Sequence, residues 1–336
     1  MKRTLGITPM VIGAILVIMI PVWMFVITPQ LKKVPADSST VSIYEGYVTF
    51  HVDPETAQAL PEGQSMTLPF SIERISQGMP ELSTGGVAVM NDLMNSSFPD
   101  GTPFIGWNKY YALDRRTAEN TEGPAEVQGM EGYRDRTGFY LMLPLGTRKQ
   151  AYPMFSDDTE STGDIEFVEE TRMDGINASN VKVFTFAHEG TISTLVEPPM
   201  GLPEKVSGAE VKALLNNPNL PISDTMMIPI EYANKTDSIL VVEPRTGMFV
   251  DMPLQREEYY VNMALPGQPD NYLLLAEVEY AQTNGPERLD DAAAYFGMLD
   301  LVDKWMWIML LAGGIALIAA GLILRLVSGG KQGSKV

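Results

Sequence analysis

The sequence predicts a mainly β protein: an antiparallel, β-rich extracytoplasmic domain, built as a sandwich or a barrel-like sheet, with one transmembrane helix at each end of the chain. Three observations predict this fold class. Long uncharged apolar segments lie towards both ends, and all 42 acidic residues lie between them. The intervening sequence alternates between apolar and polar side chains with a period of two.

The first apolar segment covers residues 5–27 and contains no charged side chain. A helix of this length, rising about 1.5 Å per residue, crosses a hydrocarbon core of about 30 Å. We therefore predict a transmembrane helix at 5–27 behind a cytoplasmic tail at 1–4. A cleaved signal peptide is the alternative, because Lys2 and Arg3 give a charged start and residues 34–36 resemble a cleavage site. The apolar segment is longer than a signal peptide usually contains, which favours an anchor.

A linker at 28–40 leads into the extracytoplasmic domain, which we predict at 41–285. Met66, Leu68, Phe70 and Ile72 recur at every second position. This period is typical of a strand with one buried face, and Gly and Pro separate similar short runs as they do in antiparallel sheets. The other runs lie at 44–52, 139–145, 181–186, 226–232, 238–242, 257–264 and 273–280.

A six-residue pattern recurs at 52–57, 113–118 and 242–247. Each copy has an acid at its second position and Thr followed by Ala or Gly at its end, which suits a tight turn between strands. We predict hairpin turns at Asp53-Pro54, Asp114-Arg115 and Glu243-Pro244. Three independent hairpins and the duplication of an ancestral unit both explain the recurrence.

Helices are predicted after the central strands. Ser207 and Glu210 form a capping box ahead of a short helix that ends near Asn216. A juxtamembrane helix at 286–304 then runs into a second uncharged apolar segment at 305–324, which is long enough to span a bilayer. A cytoplasmic tail at 325–336 follows it.

The charge distribution predicts the orientation in the membrane. The chain has 24 basic and 42 acidic residues, a formal net charge of −18, which repels nucleic acid and excludes it as an expected partner. Basic residues near membrane helices concentrate on the cytoplasmic side. They favour the outer ends of the spans, so we expect cytoplasmic termini and an extracellular main domain. The outer residues are Lys2, Arg3, Arg325, Lys331 and Lys335; the inner ones are Lys32, Lys33 and Lys304.

Small residues at helical spacing lie within both spans. Gly6 and Gly13 occupy the first helix, and Ala312, Ala316 and Ala320 occupy the second. Small side chains let membrane helices approach closely, so the pattern predicts packing of the two helices or self-association of neighbouring copies. The ordinary enrichment of small residues in membrane helices is the alternative.

An oxygen-rich segment suggests calcium as a cofactor. Its spacing matches a twelve-residue calcium loop, with ligands at positions 1, 3 and 5, Gly at position 6 and an acid at position 12. The flanking sequence predicts strands instead of the paired helices of that motif, so a solvated hairpin turn is the alternative. The candidate ligands are Asp158, Glu160, Thr162, Asp164 and Glu169.

Three N-x-Ser/Thr sequons mark candidate glycosylation sites at Asn95, Asn177 and Asn234. Catalytic motifs are scarce by comparison. The chain has two His and no Cys, and it lacks the metalloprotease, serine-hydrolase, Walker and dinucleotide motifs. The sequence therefore favours a non-catalytic protein, while paired carboxylates keep an exported hydrolase as a further alternative.

Two segments carry a family resemblance. Residues 133–155, which include Tyr133-Arg134-Asp135-Arg136-Thr137-Gly138, and residues 239–247 resemble the PorA family of actinobacteria and some archaea. Members are described as porins and have one helix at each end. The resemblance implies a porin-like envelope protein, and it supplies no catalytic residues.

We therefore expect a non-catalytic cell-envelope protein in the lipid bilayer, either porin-like or a transport component that binds a lipid or small apolar ligand. The layout also resembles that of scavenger receptors with a β-rich lipid-handling domain between two helices. An apolar ligand would require a pocket lined by Met, Leu and Phe. A structural surface protein that assembles laterally is the alternative.

Overall fold

The computed structural model describes residues 6–53, 60–61, 63–199, 202–215, 217–263 and 272–330. It divides into two compact units. One contains Met1–Lys33 and Ala293–Val336, and the other is Val34–Ala292. The predicted tail at 1–4 and the last part of the predicted tail at 325–336 lie outside the described residues.

The first unit contains the terminal helices. Helix α1 (Ile7–Val22) continues through a π-helical segment, Trp23–Ile27, into α2 (Thr28–Leu31). Towards the other end, α5 (Gly285–Asp300) continues through the π-helical segment Leu301–Trp305 into α6 (Met306–Gly330). Both helical stretches contain a window long and apolar enough to cross a membrane. The prediction of one apolar helix at each end is confirmed.

Glycines form the contact between α1 and α6. A Cβ added at Gly13 would lie 2.5 Å from the Gly314 carbonyl oxygen, and one added at Gly6 would lie 2.8 Å from the Gly321 carbonyl oxygen. The two backbones approach too closely for any larger side chain. Ala312, Ala316 and Ala320 are exposed and lie away from this contact, so their predicted role in association between copies stays a prediction.

The second unit is an antiparallel sheet of twelve strands. Two short helices, α3 (Ala125–Gln128) and α4 (Gly208–Leu214), lie between strands, and α4 begins with the predicted capping box of Ser207 and Glu210. The strands are β1 Ser39–Phe50, β2 Met66–Gly78, β3 Val87–Ser97, β4 Pro103–Asp114, β5 Tyr152–Ser156, β6 Ser161–Met173, β7 Val181–Glu189, β8 Ser193–Thr194, β9 Lys205–Ser207, β10 Met227–Val242, β11 Phe249–Met263 and β12 Tyr272–Gln282.

The strand order is β4-β3-β2-β1-β12-β11-β10-β7-β6-β5, with β8 and β9 paired to β10. The sheet forms a half-barrel, which confirms the predicted mainly β, antiparallel class. One face of it carries Phe70 and Arg74 of β2 and the buried Val48 of β1. We call this face the inner face.

An irregular segment joins the two end strands of the sheet. Tyr110 of β4 forms an isolated bridge with Tyr133, and Met154 of β5 forms one with Phe139. The segment from Tyr133 to Phe139 therefore contacts β4 at its start and β5 at its end. It includes the sequence quoted above for the family resemblance.

Two of the predicted turns fall where expected. Glu243 begins the β10–β11 turn, and Asp114 ends β4 at a turn in which its Oδ1 accepts hydrogen bonds from the backbone N–H groups of Arg116 and Thr117. The Asp53-Pro54 turn lies outside the described residues from Pro54 onwards. The run at 139–145 was expected to form a strand and does not, because its backbone docks on the β10–β11 turn: Leu143 N–H donates to the Gly247 carbonyl at 2.8 Å.

Candidate functional site

The inner face of the sheet carries charged side chains on β2, β3 and β4. Asp92 pairs directly with Lys109, and both Arg74 and Trp107 pair with Met94. Directly paired residues in antiparallel strands project to the same face. The register therefore brings two cations, a carboxylate and an indole together inside the sheet.

Asp92 is fully buried and accepts hydrogen bonds from three side chains. Arg74 Nε donates to Oδ1 at 2.9 Å, Ser76 Oγ donates to Oδ1 at 2.7 Å, and Trp107 Nε1 donates to Oδ2 at 3.1 Å. Burial alone would raise the pKa of Asp92, but the charge of Arg74 and these hydrogen bonds lower it below its usual value. Asp92 is therefore ionised at neutral pH.

Asp157 holds a second buried ion cluster, in the turn after β5. Its Oδ1 accepts from Arg136 Nε at 2.6 Å, and its Oδ2 lies 3.2 Å from Lys109 Nζ and also accepts from the Tyr111 hydroxyl. Burial would raise the pKa of Asp157, yet Lys109 and Arg136 outweigh burial and lower it. Because Lys109 and Tyr111 lie on β4, Asp157 ties the two end strands together.

Aromatic rings connect the two carboxylates. Tyr111 stacks on Tyr140 with ring centroids 4.5 Å apart, and the guanidinium carbon of Arg136 lies 4.0 Å from the Tyr111 centroid. The guanidinium carbon of Arg74 lies 5.1 Å from the Tyr140 centroid. Because Arg74 also pairs with Asp92, these contacts connect Asp157 to Asp92. We call these residues the closing network: Arg74, Asp92, Trp107, Lys109, Tyr111, Arg136, Tyr140 and Asp157.

A pair of carboxylates, Asp158 and Glu257, lies beside the closing network; we call it the acid pair. Glu257 accepts hydrogen bonds from the Tyr259 hydroxyl at 2.5 Å and the Tyr280 hydroxyl at 3.2 Å. Burial and then the charge of Glu257 raise the pKa of Asp158 to about 6. Asp158 is nevertheless exposed to solvent.

Apolar side chains extend the inner face beyond the charged groups. Leu68 of β2 lies in one row with Val48, Val278 and Glu257. Half-buried apolar side chains pack around the buried cluster of this region, and we call them the apolar wall: Met66, Leu68, Phe98, Phe104, Ile105, Trp107, Leu195, Met252 and Tyr280. Trp107 belongs to both the wall and the closing network. Charged and apolar surfaces therefore meet inside the domain.

The predicted calcium ligands follow the β5–β6 hairpin. Glu160 forms an ion pair with Arg134. On β6, Asp164 lies opposite Pro153 of β5, and Glu169 lies further along, opposite Thr185 of β7. In the described part of the chain, no three acidic or His side chains converge as a metal site would require. Calcium binding stays a prediction, and it would require the hairpin to rearrange.

The three sequons differ in accessibility. Asn95 is exposed on β3, whereas Asn177 lies between β6 and β7, where its side-chain amide donates to Asp290 at 2.8 Å. Asn234 is 3% exposed on β10. A glycan at Asn234 would have to be attached before this strand packs, and glycosylation at all three positions stays a prediction.

The closing network was not anticipated from the sequence. Arg136 and Tyr140 lie in the segments quoted for the family resemblance, but nothing in their spacing links them to Arg74 or Asp92. The one local signal is Asp92 itself, a charge next to Asn91 within the otherwise apolar run from Val87 to Met94.

These features define a β-rich protein with one apolar helix of membrane-spanning length towards each end of the chain. A family model described as Porin PorA matches residues 5–323, nearly the whole chain. The chain belongs to this family, and the resemblance noted in the sequence is confirmed. No curated protein matches the chain. At the level that the family description supports, the chain is a porin-like membrane protein, and this family suggests a non-enzymatic role.

Proposed function

We propose that this protein is a non-catalytic component of the cell envelope that binds an amphiphilic ligand inside its extracytoplasmic sheet domain. Both termini lie in the cytoplasm, and the two apolar helices anchor the domain to the membrane. The proposal rests on the family, on the two helices and on the chemistry of the inner face.

The side chains that line the inner face carry this proposal. The apolar wall and the closing network meet on this face of the sheet. Ligand sites combine mostly apolar walls with a few fixed polar groups. An amphiphile matches such a lining, with its apolar chain against Leu68 and Phe104 and its polar end towards the charged groups.

A pore through a membrane-spanning sheet fits the outer face poorly. Strands that cross a bilayer need a continuous apolar band facing the lipid. Here exposed positions on β1, β2 and β6 carry Glu45, Glu73, Glu166 and Glu170. The helices remain as the membrane anchors, and a channel would have to form between copies of the chain.

The second candidate function is an exported hydrolase. The acid pair favours it, because a carboxyl with a pKa of about 6 beside another carboxylate suits general acid catalysis. Turnover of nitrophenyl esters or glycosides that disappears in both Asp158→Asn and Glu257→Gln would establish this candidate.

Binding of a dansyl-labelled undecanoic acid to the full chain in nonionic detergent tests the proposal. Leu68→Trp adds bulk to the apolar wall, whereas Thr67→Trp adds the same ring to the exposed face of β2. We expect Leu68→Trp to weaken binding at least about tenfold and Thr67→Trp to leave it unchanged. Equal binding by both variants would contradict a site on the inner face.

A further inference from the structure

Arg288 is a buried cation with incomplete hydrogen bonding. It lies in the first half of α5 and is 7% exposed. Its Nη2 donates to the Phe249 carbonyl at 3.0 Å, but Nε and Nη1 have no hydrogen-bond partner among the described residues. The carboxylate of Asp291 lies 4.0 Å from Nη1, beyond hydrogen-bond distance, and its side chain is 61% exposed.

A buried guanidinium with two free donors is destabilising unless an anion pairs with it. Burial lowers the pKa of Arg288, against weaker opposing effects of Tyr44 and Asp291, and the nearby charge of Arg74 lowers it further. Arg74 is also a cation, so it cannot neutralise the charge of Arg288. Its Nε and Nη2 atoms already donate to the Asp92 carboxylate. Two guanidinium groups therefore lie near each other inside a chain whose net charge is −18.

The apolar wall begins close to this cationic site. Tyr44, a buried residue of β1, packs edge-on against Tyr280 with ring centroids 5.7 Å apart. Tyr280 packs against Phe70 at 6.1 Å, and Phe70 against Phe104 at 5.3 Å. A continuous aromatic path thus leads from Tyr44 through Tyr280 and Phe70 to Phe104 in the apolar wall.

We propose that Arg288 binds the anionic head group, a carboxylate or a phosphate, of an amphiphile whose apolar chain lies along this aromatic path. Nε and Nη1 supply the free donors, and charge-assisted hydrogen bonds to an anion are stronger than neutral ones. This inference rests on the proposed function, because the amphiphile supplies the anion.

Thermal shift and native mass spectrometry on the full chain test the inference with dodecanoate, dodecyl phosphate, dodecanol and inorganic phosphate as probes. Arg288→Gln removes the charge while keeping an amide donor for the Phe249 carbonyl. Arg172→Gln is the matched control, because Arg172 is exposed on β6 and the change in net charge is the same. Arg288→Lys keeps the charge and should retain part of the effect.

We expect wild type to bind the two anionic amphiphiles at least about tenfold more tightly than dodecanol. Arg288→Gln should lose this preference, and Arg172→Gln should keep it. The ligand-free Arg288→Gln protein should also melt at a higher temperature than wild type, since it removes a buried charge whose carboxylate neighbour, Asp291, lies 4.0 Å away and is mostly exposed.

The outcomes separate the two proposals. Equal binding of all three amphiphiles by wild type and Arg288→Gln would overturn the anion site and leave the proposed function standing. Binding of inorganic phosphate alone, dependent on Arg288, would support an anion site and overturn both the amphiphile assignment and the proposed function. Absence of binding by any probe would overturn both proposals.

Discussion

Lys109 and Asp157 join the two ends of the twelve-stranded sheet. Lys109 Nζ, on the last strand at one end, lies 3.2 Å from Asp157 Oδ2, one residue beyond the last strand at the other end. The end strands β4 and β5 are not paired with each other in the sheet. Side chains, instead of backbone hydrogen bonds between these two strands, therefore hold its two ends together. The closure is electrostatic, because Asp157 also pairs with Arg136, and it can therefore be tested by removing one charge.

Asp157→Asn should destabilise the sheet domain by about 3–5 kcal/mol, because it leaves the buried Arg136 and the half-buried Lys109 without their counter-ion. Chemical denaturation of the full chain, followed by tryptophan fluorescence, measures this change. Asp164→Asn removes an exposed carboxylate from β6 and should change stability by less than about 0.5 kcal/mol. Equal effects of the two variants would mean that the ion cluster does not close the sheet.

The β10–β11 turn should tolerate no side chain at Gly247. Its φ is +72°, and an added Cβ would lie 2.0 Å from the Leu143 carbonyl oxygen. Gly146 has a similar φ of +78° with open space around it. Gly146→Ala should therefore lower the free energy of unfolding only by the left-handed backbone strain of about 1–2 kcal/mol. Gly247→Ala should lower it by more, because it adds a steric clash. Matching melting temperatures in the two variants would argue against the tight docking of residues 142–146.

Asp158 should make stability depend on pH. Its folded pKa of about 6 exceeds the ordinary value of about 3.9, so the folded state holds the proton more tightly. Stability from this group is complete below about pH 4 and is lost as the pH rises through about 6. Asp158→Asn should thus raise the melting temperature at about pH 8 and leave it nearly unchanged at about pH 4. A rise in melting temperature only at the lower pH would contradict the raised pKa of Asp158 in the folded protein.

The contact between α1 and α6 should depend on Gly13 and much less on Gly313. A Cβ at Gly13 would meet the Gly314 carbonyl oxygen at 2.5 Å, whereas one at Gly313 would meet only a Leu16 methyl group at 3.9 Å. The chain has no Cys, so cysteines introduced at Lys32 and Asp303, whose side chains lie 2.7 Å apart, can report helix contact through a short bifunctional crosslinker. Gly13→Leu should slow crosslinking and Gly313→Leu should not. Unchanged rates in both would exclude the glycine contact.

The orientation proposal predicts which parts of the chain a protease can reach on intact cells. The central domain should be degraded, and a tag placed after Val336 should stay protected because the basic flanks hold both termini in the cytoplasm. Loss of that tag while the membrane is intact would invert the proposed topology.

Strand β2 could be predicted from the sequence because its inner positions, Met66 to Ile72, are all apolar. Strands β3 and β4 could not be predicted in this way, because Asp92 and Lys109 occupy inner positions and break the alternation of apolar and polar residues. The periodicity of hydrophobic residues detects only buried faces that are apolar. Strands whose inner positions are polar are therefore missed when strands are predicted from hydrophobic periodicity.

The closing network could not be predicted for a related reason. Arg74 and Asp92 meet through the register of β2 and β3, and Asp157 meets Lys109 because the two end strands of the sheet come together. Neither pair of residues forms a short motif that could be recognised in the sequence. The turn at Glu243 was predictable, by contrast, because its acid, Thr and Gly act within five residues: Glu243 Oε2 accepts from the Thr246 N–H at 2.8 Å, and Gly247 takes the positive φ.

Native mass spectrometry of the full chain, released from nonionic detergent after purification from membranes, tests the central claim most directly. The account predicts one amphiphile-sized adduct per chain in wild type and in Thr67→Trp, and its loss in Leu68→Trp. Bare chains in all three samples, together with discrete conductance steps from wild type in planar bilayers, would contradict the claim and make the protein a channel.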